Sequence, residues 1–316
     1  MLNKKGAKID MLNKQTQALL NALAKQLDID ARDLKIKVSA ELEFYIVSTK
    51  HAPLKTKLTC QSQPIQELVR LLKVNDEQYT NETINIQLAK EKNQKLTNKI
   101  RLESFEEEDG FNQFEVQFIP TENPLELAEN INNFKEIMPK LLENCTIDFR
   151  ARPFENEPTS SLHFHISIYY KDANLFAKEN PYEDDEYHYL PLYWCIAGIL
   201  ELTPKFMKFF APTENCKTRY YMPKKNQKWI HYPTRLCWGF NNRTCAIRIP
   251  KKPNEDPLNC RIEHRISSSM ADPFLALFAI FAGMQYGVAK ELDAPEPVYE
   301  RAYEKEENGK LLLDLL

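Results

Sequence analysis

A chain of 316 residues that is 43% hydrophobic, 11% aromatic and 28% charged can bury one large core or two modest ones, which excludes a disordered or fibrous protein. Its 42 basic and 45 acidic residues leave a net charge of -3, which excludes a general attraction to nucleic acid or to an anionic membrane, so any polyanion must be bound locally. The 7 cysteines are scattered and contain no CxxC pair; they suggest neither a disulfide framework nor a structural zinc site, and a reducing cytoplasm is the expected home.

Residues 1–10 are polar and lysine-rich, with no apolar stretch after them, so no secretory signal is expected. Leu19, Leu20, Leu23 and Leu27 predict a short amphipathic helix over 15–27. Over 37–45, apolar Val38, Ala40, Leu42 and Phe44 alternate with Lys37, Ser39, Glu41 and Glu43, the period of a half-buried strand, so the two glutamates share a face. Phe114, Val116 and Phe118 alternate with Gln113, Glu115 and Gln117 in the same way. Asn123, Pro124 and Glu126 form a cap, a first-turn proline and an N3 glutamate, opening a helix toward Asn144 with a break near Pro139. A third strand alternates Leu162, Phe164, Ile166 and Ile168 with His163, His165 and Ser167. The acidic run 183–186 reads as solvated loop, and 190–210 as helix broken by Pro204. A fourth strand alternates Ile262, His264 and Ile266 with Arg261, Glu263 and Arg265. Asp272 and Pro273 then cap an apolar helix over 274–288, which falls short of the roughly 20 residues of a membrane span and reads as buried. Amphipathic strands separated by helices predict an α+β fold with a largely antiparallel sheet, one face on helices and the other polar.

On that polar face glutamates, histidines and arginines recur, with Lys37, Ser39 and Ser167 the common Ser or Lys among them. Glutamates side by side on neighbouring strands repel, so a cluster of them needs cations. Carboxylates with an occasional imidazole suit Mg2+ or Mn2+. The pattern by itself leaves open that these are unrelated exposed strand faces.

The order of the motifs resembles the glutamine synthetase family from about residue 36 to residue 300. Glu41, Leu42, Glu43 and Phe44 look like its E-x-E-F strand, and residues 108–115, with Glu108, Gln113 and Glu115, resemble its E-x-x-x-x-Q-x-E segment. Arg152, Pro153 and Phe154, followed by His163, His165 and Ser167, are similar to its KPF stretch and H-x-H-x-S. Asn215 and Arg219 match P-T-x-N-S-Y-K-R in spacing; Trp238, Gly239, Asn242, Arg243 and Arg248 resemble W-G-x-x-N-R-x-x-x-x-R. Arg261, Glu263 and Arg265, with Asp272 to Leu275 behind them, resemble R-I-E-x-R and N-P-Y-L.

The resemblance implies a glutamine-synthetase-like catalytic domain over 36–316 behind a helical extension over 1–35, with a sheet curved around a two-ended site. It implies one Mg2+ or Mn2+ on Glu43, Glu108 and Glu115, with Glu107 a near alternative to Glu108, and a second on Glu41, His163 and Glu263. It further implies ATP against His165, Ser167, Arg243 and Arg248, the ATP phosphates and the transferring phosphoryl group against Arg243, Arg248 and Arg265, and the amino-acid substrate on Arg219 and Arg265, with Arg219, Arg243 and Arg265 as the catalytic arginines. The activity it implies is ATP-dependent joining of a carboxylate, glutamate's gamma-carboxyl, to an amine through an acyl phosphate.

Three departures shape the expectation. The flap after Arg219 (222–228) holds no acid where glutamine synthetases carry one to deprotonate ammonium, which favours relatives that use organic amines. Pro158, Thr159, Ser160 and Ser161 replace a glycine-rich loop, in a chain with only 7 glycines. Only 40 residues precede Glu41, where the family places a beta-grasp domain of about a hundred; either the enzyme works without it, a partner chain supplies it, or catalysis is lost, and the other expected partners are further copies of the chain in a homo-oligomer and small-molecule substrates. Two rivals stay open: a non-catalytic regulator or nucleotide binder, and a phosphotransferase of the guanidino-kinase kind. Cys216, in the family's serine position, and His264, on the opposite strand face from Glu263, are expected to be packing residues, and His51, His188 and His231 receive no role.

Overall fold

The computed structural model describes residues 2–72, 84–85, 99–142, 145–177, 190–224 and 230–316. Its helices are α1 (Leu2–Leu27), α2 (Gln63–Leu72), α3 (Pro124–Ile137), α4 (Leu190–Phe210), α5 (Glu214–Lys217) and α6 (Pro273–Lys290). Its strands are β1 (Leu34–Ser48), β2 (Ile84–Asn85), β3 (Lys99–Ile100), β4 (Leu102–Glu107), β5 (Gln113–Phe118), β6 (Cys145–Asp148), β7 (Leu162–Tyr170), β8 (Ala173–Asn174), β9 (Arg235–Phe240), β10 (Cys245–Ile249) and β11 (Ile262–His264).

The main sheet runs β4-β5-β1-β7-β11-β10-β9, with β6 on the far end of β1 and β8 on β7; β2 and β3 form a separate pair. Neighbours in the main sheet are antiparallel except β9 and β10, which pair in parallel. Strand β1 is central because its even positions, Val38 to Phe44, are buried apolar groups along its length. They meet Phe114, Val116, Leu162, Phe164 and Ile166 in one core with the helices. The odd positions of the same strands form the other face.

Helix α3 begins as its sequence predicts: Asn123 accepts from the N–H groups of Leu125 and Glu126, Pro124 occupies the first turn, and the helix passes at Met138 into a 3-10 turn holding Pro139. Asn144 and the acidic run 183–186 lie outside the described residues. Helix α1 starts at Leu2, well before residue 15, because its stripe of Leu12, Leu19 and Leu23 is completed by the rest of the core rather than by its own sequence. Gln15 and Gln26 donate to the carbonyls of Phe281 and Val288, fixing α1 along α6. Pro204 does not break α4, which continues to Phe210. The proline sits on the half-buried side, where the carbonyl left without a donor can turn to solvent, and packing on α6 carries the helix through.

Helix α6 is apolar and 18 residues long, enough by composition to cross a membrane, yet it lies largely buried. It crosses α4 through three glycines. A Cβ on Gly198 would collide with the carbonyl of Gly283, and one on Gly287 with that of Trp194, so the two backbones touch where only glycine fits.

Candidate active site

The pairing register assembles a row of polar side chains across the sheet. Glu115 on β5 faces Glu43 on β1, and Glu41 faces His163 on β7. His165 faces Glu263 on β11, which faces Arg248 on β10. Directly opposed Cβ atoms lie about 5 Å apart, so residues distant in sequence become neighbours on one surface.

Two acidic groups result. Glu43, Glu108 and Glu115 bring one carboxylate oxygen each within 4.8 Å of one another, and Glu41, Glu263 and His165 do the same with the imidazole. His163 belongs with the second group as well: its Nδ1 is 3.5 Å from Glu41 and 3.9 Å from Glu263. Nε2 of His165 is 3.0 Å from Glu41. Both ring nitrogens are buried without a hydrogen bond of proper geometry among the described residues. Carboxylate oxygens with a buried, unpartnered imidazole nitrogen are the donor set of a hard divalent cation, so the residues fit Mg2+ or Mn2+. Glu107, the alternative to Glu108, is exposed, and its carboxylate accepts from the Cys60 N–H at 2.9 Å instead.

The two groups differ in charge balance. Burial, followed by the charges of Glu41, Glu43 and Glu108, pushes the Glu115 carboxyl up to about 10. Burial and Glu43 push Glu108 to about 7. In the other group burial also acts upward on Glu263, but Arg265, His165, His163 and Arg248 outweigh it and hold the acid at about 2. Glu41 is likewise driven up by burial and pulled further down by His163 and His165, ending below its ordinary value. Burial, aided by Arg265, keeps His163 below its ordinary value.

The arginines close around this row. Arg248 donates to Glu263 at 2.7 Å and to Asn241 at 2.7 Å. Arg265 donates to Glu263, to the carbonyl of Arg243 at 3.2 Å and to that of His231 at 2.7 Å. Arg243 is exposed and lines an outer cavity of about 500 Å³ with His231, Tyr299, Glu300 and Arg301. Arg219 is 1% exposed; it donates to the carbonyls of Ser160 and Arg265, its Nε has no partner among the described residues, and burial lowers its pKa.

Two cavities flank the row. One, of about 300 Å³, is lined by Lys37, Glu41, Glu103, His165, Ser167 and Arg261 among others. The second, about 50 Å³, is bordered by Glu43, Glu108, Asp109, His163, Arg219 and His231. His165 and Ser167 thus face the larger cavity and Arg219 the smaller one. Arg261 opens the R-I-E-x-R motif but received no role from it, yet its Nε donates to Nδ1 of His165 at 3.0 Å at the wall of the larger cavity. The alternation of Arg261, Glu263 and Arg265 was the signal available for it.

Other motif residues build the frame. The amide of Gln113 donates to the Thr159 carbonyl and its oxygen accepts from Gly110 N–H, while Ser161 N–H donates to the Glu43 carboxylate. The segment 158–161 is therefore shaped by hydrogen bonds to side chains rather than by glycine. Asn215 pairs with both backbone groups of Arg152, and Asn242 with the carbonyls of Val298 and Glu300. Cys216 is buried against Thr213 and Ser268, and His264 packs on Phe210 with ring centroids 4.6 Å apart, both as expected of packing residues.

A family model described as "Glutamine synthetase, catalytic domain" matches residues 16–315. The chain belongs to the glutamine synthetase catalytic-domain family. Gamma-glutamylputrescine synthetase PuuA of Escherichia coli is 34% identical over 197 residues, which is 61% of this chain and 39% of that protein. Glutamate–methylamine ligase of Methyloversatilis universalis is 30% identical over 201 residues, 62% of this chain and 43% of that protein. A glutamine synthetase of Thermococcus kodakarensis is 28% identical over 221 residues, 69% of this chain and 46% of that protein. The chain spans less than half the length of these relatives. Among solved structures, the GmaS/ADP complex superposes with a TM-score of 0.67 at 20% identity, over 94% of this chain and 66% of that one, and shares the fold. This glutamine synthetase catalytic domain is accordingly more similar to those two amine ligases than to the archaeal glutamine synthetase.

Proposed function

We propose that this chain carries the catalytic centre of an ATP-dependent ligase that joins the gamma-carboxyl of glutamate to an amine through an acyl phosphate. The observation that carries the reading is the row from Glu115 to Arg248, in which two carboxylate groups and a set of arginines lie between one cavity of about 300 Å³ and another of about 50 Å³. The similarity to gamma-glutamylputrescine synthetase and glutamate–methylamine ligase supports it.

In this reading the nucleotide takes the larger cavity, against His165, Ser167 and Arg261, and the amino acid approaches Arg219 at the smaller one. A carboxylate is a poor electrophile and must first accept a phosphoryl group, whose charge has to be balanced in place. Arg243, Arg248 and Arg265 are suited to that, since guanidinium stays charged and binds oxyanions in a fork. Glu43, Glu108 and Glu115 would hold one divalent cation, and Glu41, Glu263 and an imidazole the other. His163 is the better imidazole: Arg261 donates to Nδ1 of His165, which leaves the ring proton on Nε2, the atom that faces Glu41. When bound, the cations supply charge neutralisation for the phosphate oxygens. Arg265 ties Glu263 to the backbone of Arg243 and His231, so the phosphoryl-facing groups are positioned together. All described cysteines are free thiols, which supports a reducing, cytoplasmic setting.

The test is incubation with ATP, Mg2+ or Mn2+ and glutamate, with and without a panel of amines including putrescine and methylamine, following ADP and products by mass spectrometry. Amine-dependent ADP release with a gamma-glutamyl product is expected, and Glu43→Ala and Glu263→Ala should each abolish it. An accumulating phosphorylated product would favour a phosphotransferase, and ATP binding without turnover on any amine would refute both.

A further inference from the structure

Aminolysis of an acyl phosphate needs an uncharged amine, and alkylamines are cations at neutral pH, so a group must take a proton beside the small cavity. Five carboxylate or imidazole side chains border that cavity: Glu43, Glu108, Asp109, His163 and His231. Three of them belong to the two candidate cation groups. Asp109 and His231 remain.

His231 has the position of a base. It follows directly on the flap that carries no acid, and it is the wall shared by the small cavity and the outer one of about 500 Å³. Its backbone is held, the carbonyl accepting from Arg265 at 2.7 Å, and it is followed by buried Tyr232. Its imidazole has no hydrogen bond among the described residues and is exposed, so it is free to meet a ligand. Charged groups surround it: Arg243, Arg265 and Arg301, and Asp109 as the anion. Glu108 and Glu300 border the same two cavities. Burial first, then Arg243, keep the ring below its ordinary pKa, with Asp109 acting the other way, so it is neutral at pH 7.

We propose that His231 is the general base that takes the proton from the incoming alkylammonium, with Asp109 beside it favouring the imidazolium that forms. The inference rests on the ligase reading and names the residue that replaces the missing flap acid. The ammonium gives one proton to the imidazole; the freed nitrogen lone pair forms the C–N bond as the bond from the acyl carbon to the phosphate oxygen breaks. The departing phosphate takes the second amine proton, which balances the step as amide plus hydrogen phosphate, and the imidazolium discharges to water through the outer cavity.

Hydroxylamine separates this role from others, because it is already uncharged at pH 7 and traps the same acyl phosphate. In His231→Gln, the ratio of methylamine product to hydroxamate is expected to fall on the order of 10²-fold or more. The acid limb in the pH profile of that ratio, set in the wild type by the imidazole, should disappear in that variant, since any pH dependence of cation binding is common to both nucleophiles and cancels. Asp109→Asn, which keeps the base but removes its anion, should move that limb to lower pH. Equal losses for both nucleophiles, or an unchanged ratio, would overturn the assignment. A wild-type protein that forms no hydroxamate refutes the ligase reading itself and the base with it, whereas hydroxamate formation with an unchanged ratio in His231→Gln refutes the base alone.

Discussion

Replacing Glu263 by glutamine removes the one anion shared by Arg248 and Arg265 while keeping the shape of the side chain. Glu263 is 0% exposed and Arg265 4%, so the two guanidinium groups would be left largely desolvated without their counter-charge. Removing one partner of a buried ion pair costs about 3–5 kcal/mol. The drop of the Glu263 carboxyl from its ordinary 4.5 to about 2 gives a second route to the figure: it corresponds to about 3 kcal/mol in favour of the ionised form. The two agree, and Glu263→Gln should lower the unfolding free energy at pH 7 by about 3 kcal/mol. Because the folded pKa is depressed, this stabilisation is complete above the ordinary value of 4.5 and is lost as pH falls through about 2. The gap between wild type and variant should therefore shrink to roughly half or less by pH 3. Urea unfolding followed by the fluorescence of buried Trp238, in the presence of a chelator, measures both. A variant as stable as wild type at pH 7, or a gap that persists at pH 3, would refute the account of Glu263 as the anion that neutralises this end of the row.

Two further outcomes follow from the packing and the acidic cluster. Gly287→Ala should destabilise the protein by about 1–3 kcal/mol or more, since its methyl group meets the Trp194 carbonyl on a rigid neighbouring helix; an unchanged urea midpoint would contradict that close approach. The gain in Tm on adding Mn2+ should grow from pH 6 to pH 8, because Glu108, raised to about 7, and Glu115, raised to about 10, must release protons to bind a cation. A gain that is flat or falls with pH would place the cation elsewhere.

Much of this site could be read from the chain because strands write their faces into sequence. Alternation alone put Glu41 with Glu43 and His163 with His165, and the capping of α3 and α6 followed from Asn123 and Asp272. What alternation does not carry is register. That Glu115 lies opposite Glu43, and Glu263 opposite His165, depends on how strands far apart in sequence align, and only the core they share sets that. The choice between Glu107 and Glu108 turned on the same kind of information. Strand β4 ends at Glu107, pointing it at Cys60, and the turn before β5, with Asn112 at φ 62, brings Glu108 round to Glu43. Arg261 was on the right face but lacked its reason until His165 came beside it. His231 had no pattern around it at all; its interest comes from two cavities meeting at its side chain.

The unequal charge of the two acidic groups has a chemical consequence. Around Glu263 the protein supplies its own cations, so an ion arriving there must compete with Arg248 and Arg265 for the carboxylate. Around Glu115 none of the described residues supplies a cation close enough to keep that acid ionised at neutral pH, and a divalent ion gains both the attraction of three carboxylates and relief of their mutual repulsion. The group of Glu43, Glu108 and Glu115 is thus the one that should take a cation from the protein alone. At the other group the arginines must turn away from Glu263 first, and the natural recipient of their charge is a polyphosphate lying across the same row. A nucleotide that draws Arg248 and Arg265 toward its oxygens frees Glu263 at that moment, so on electrostatic grounds the second cation should bind together with the nucleotide rather than before it.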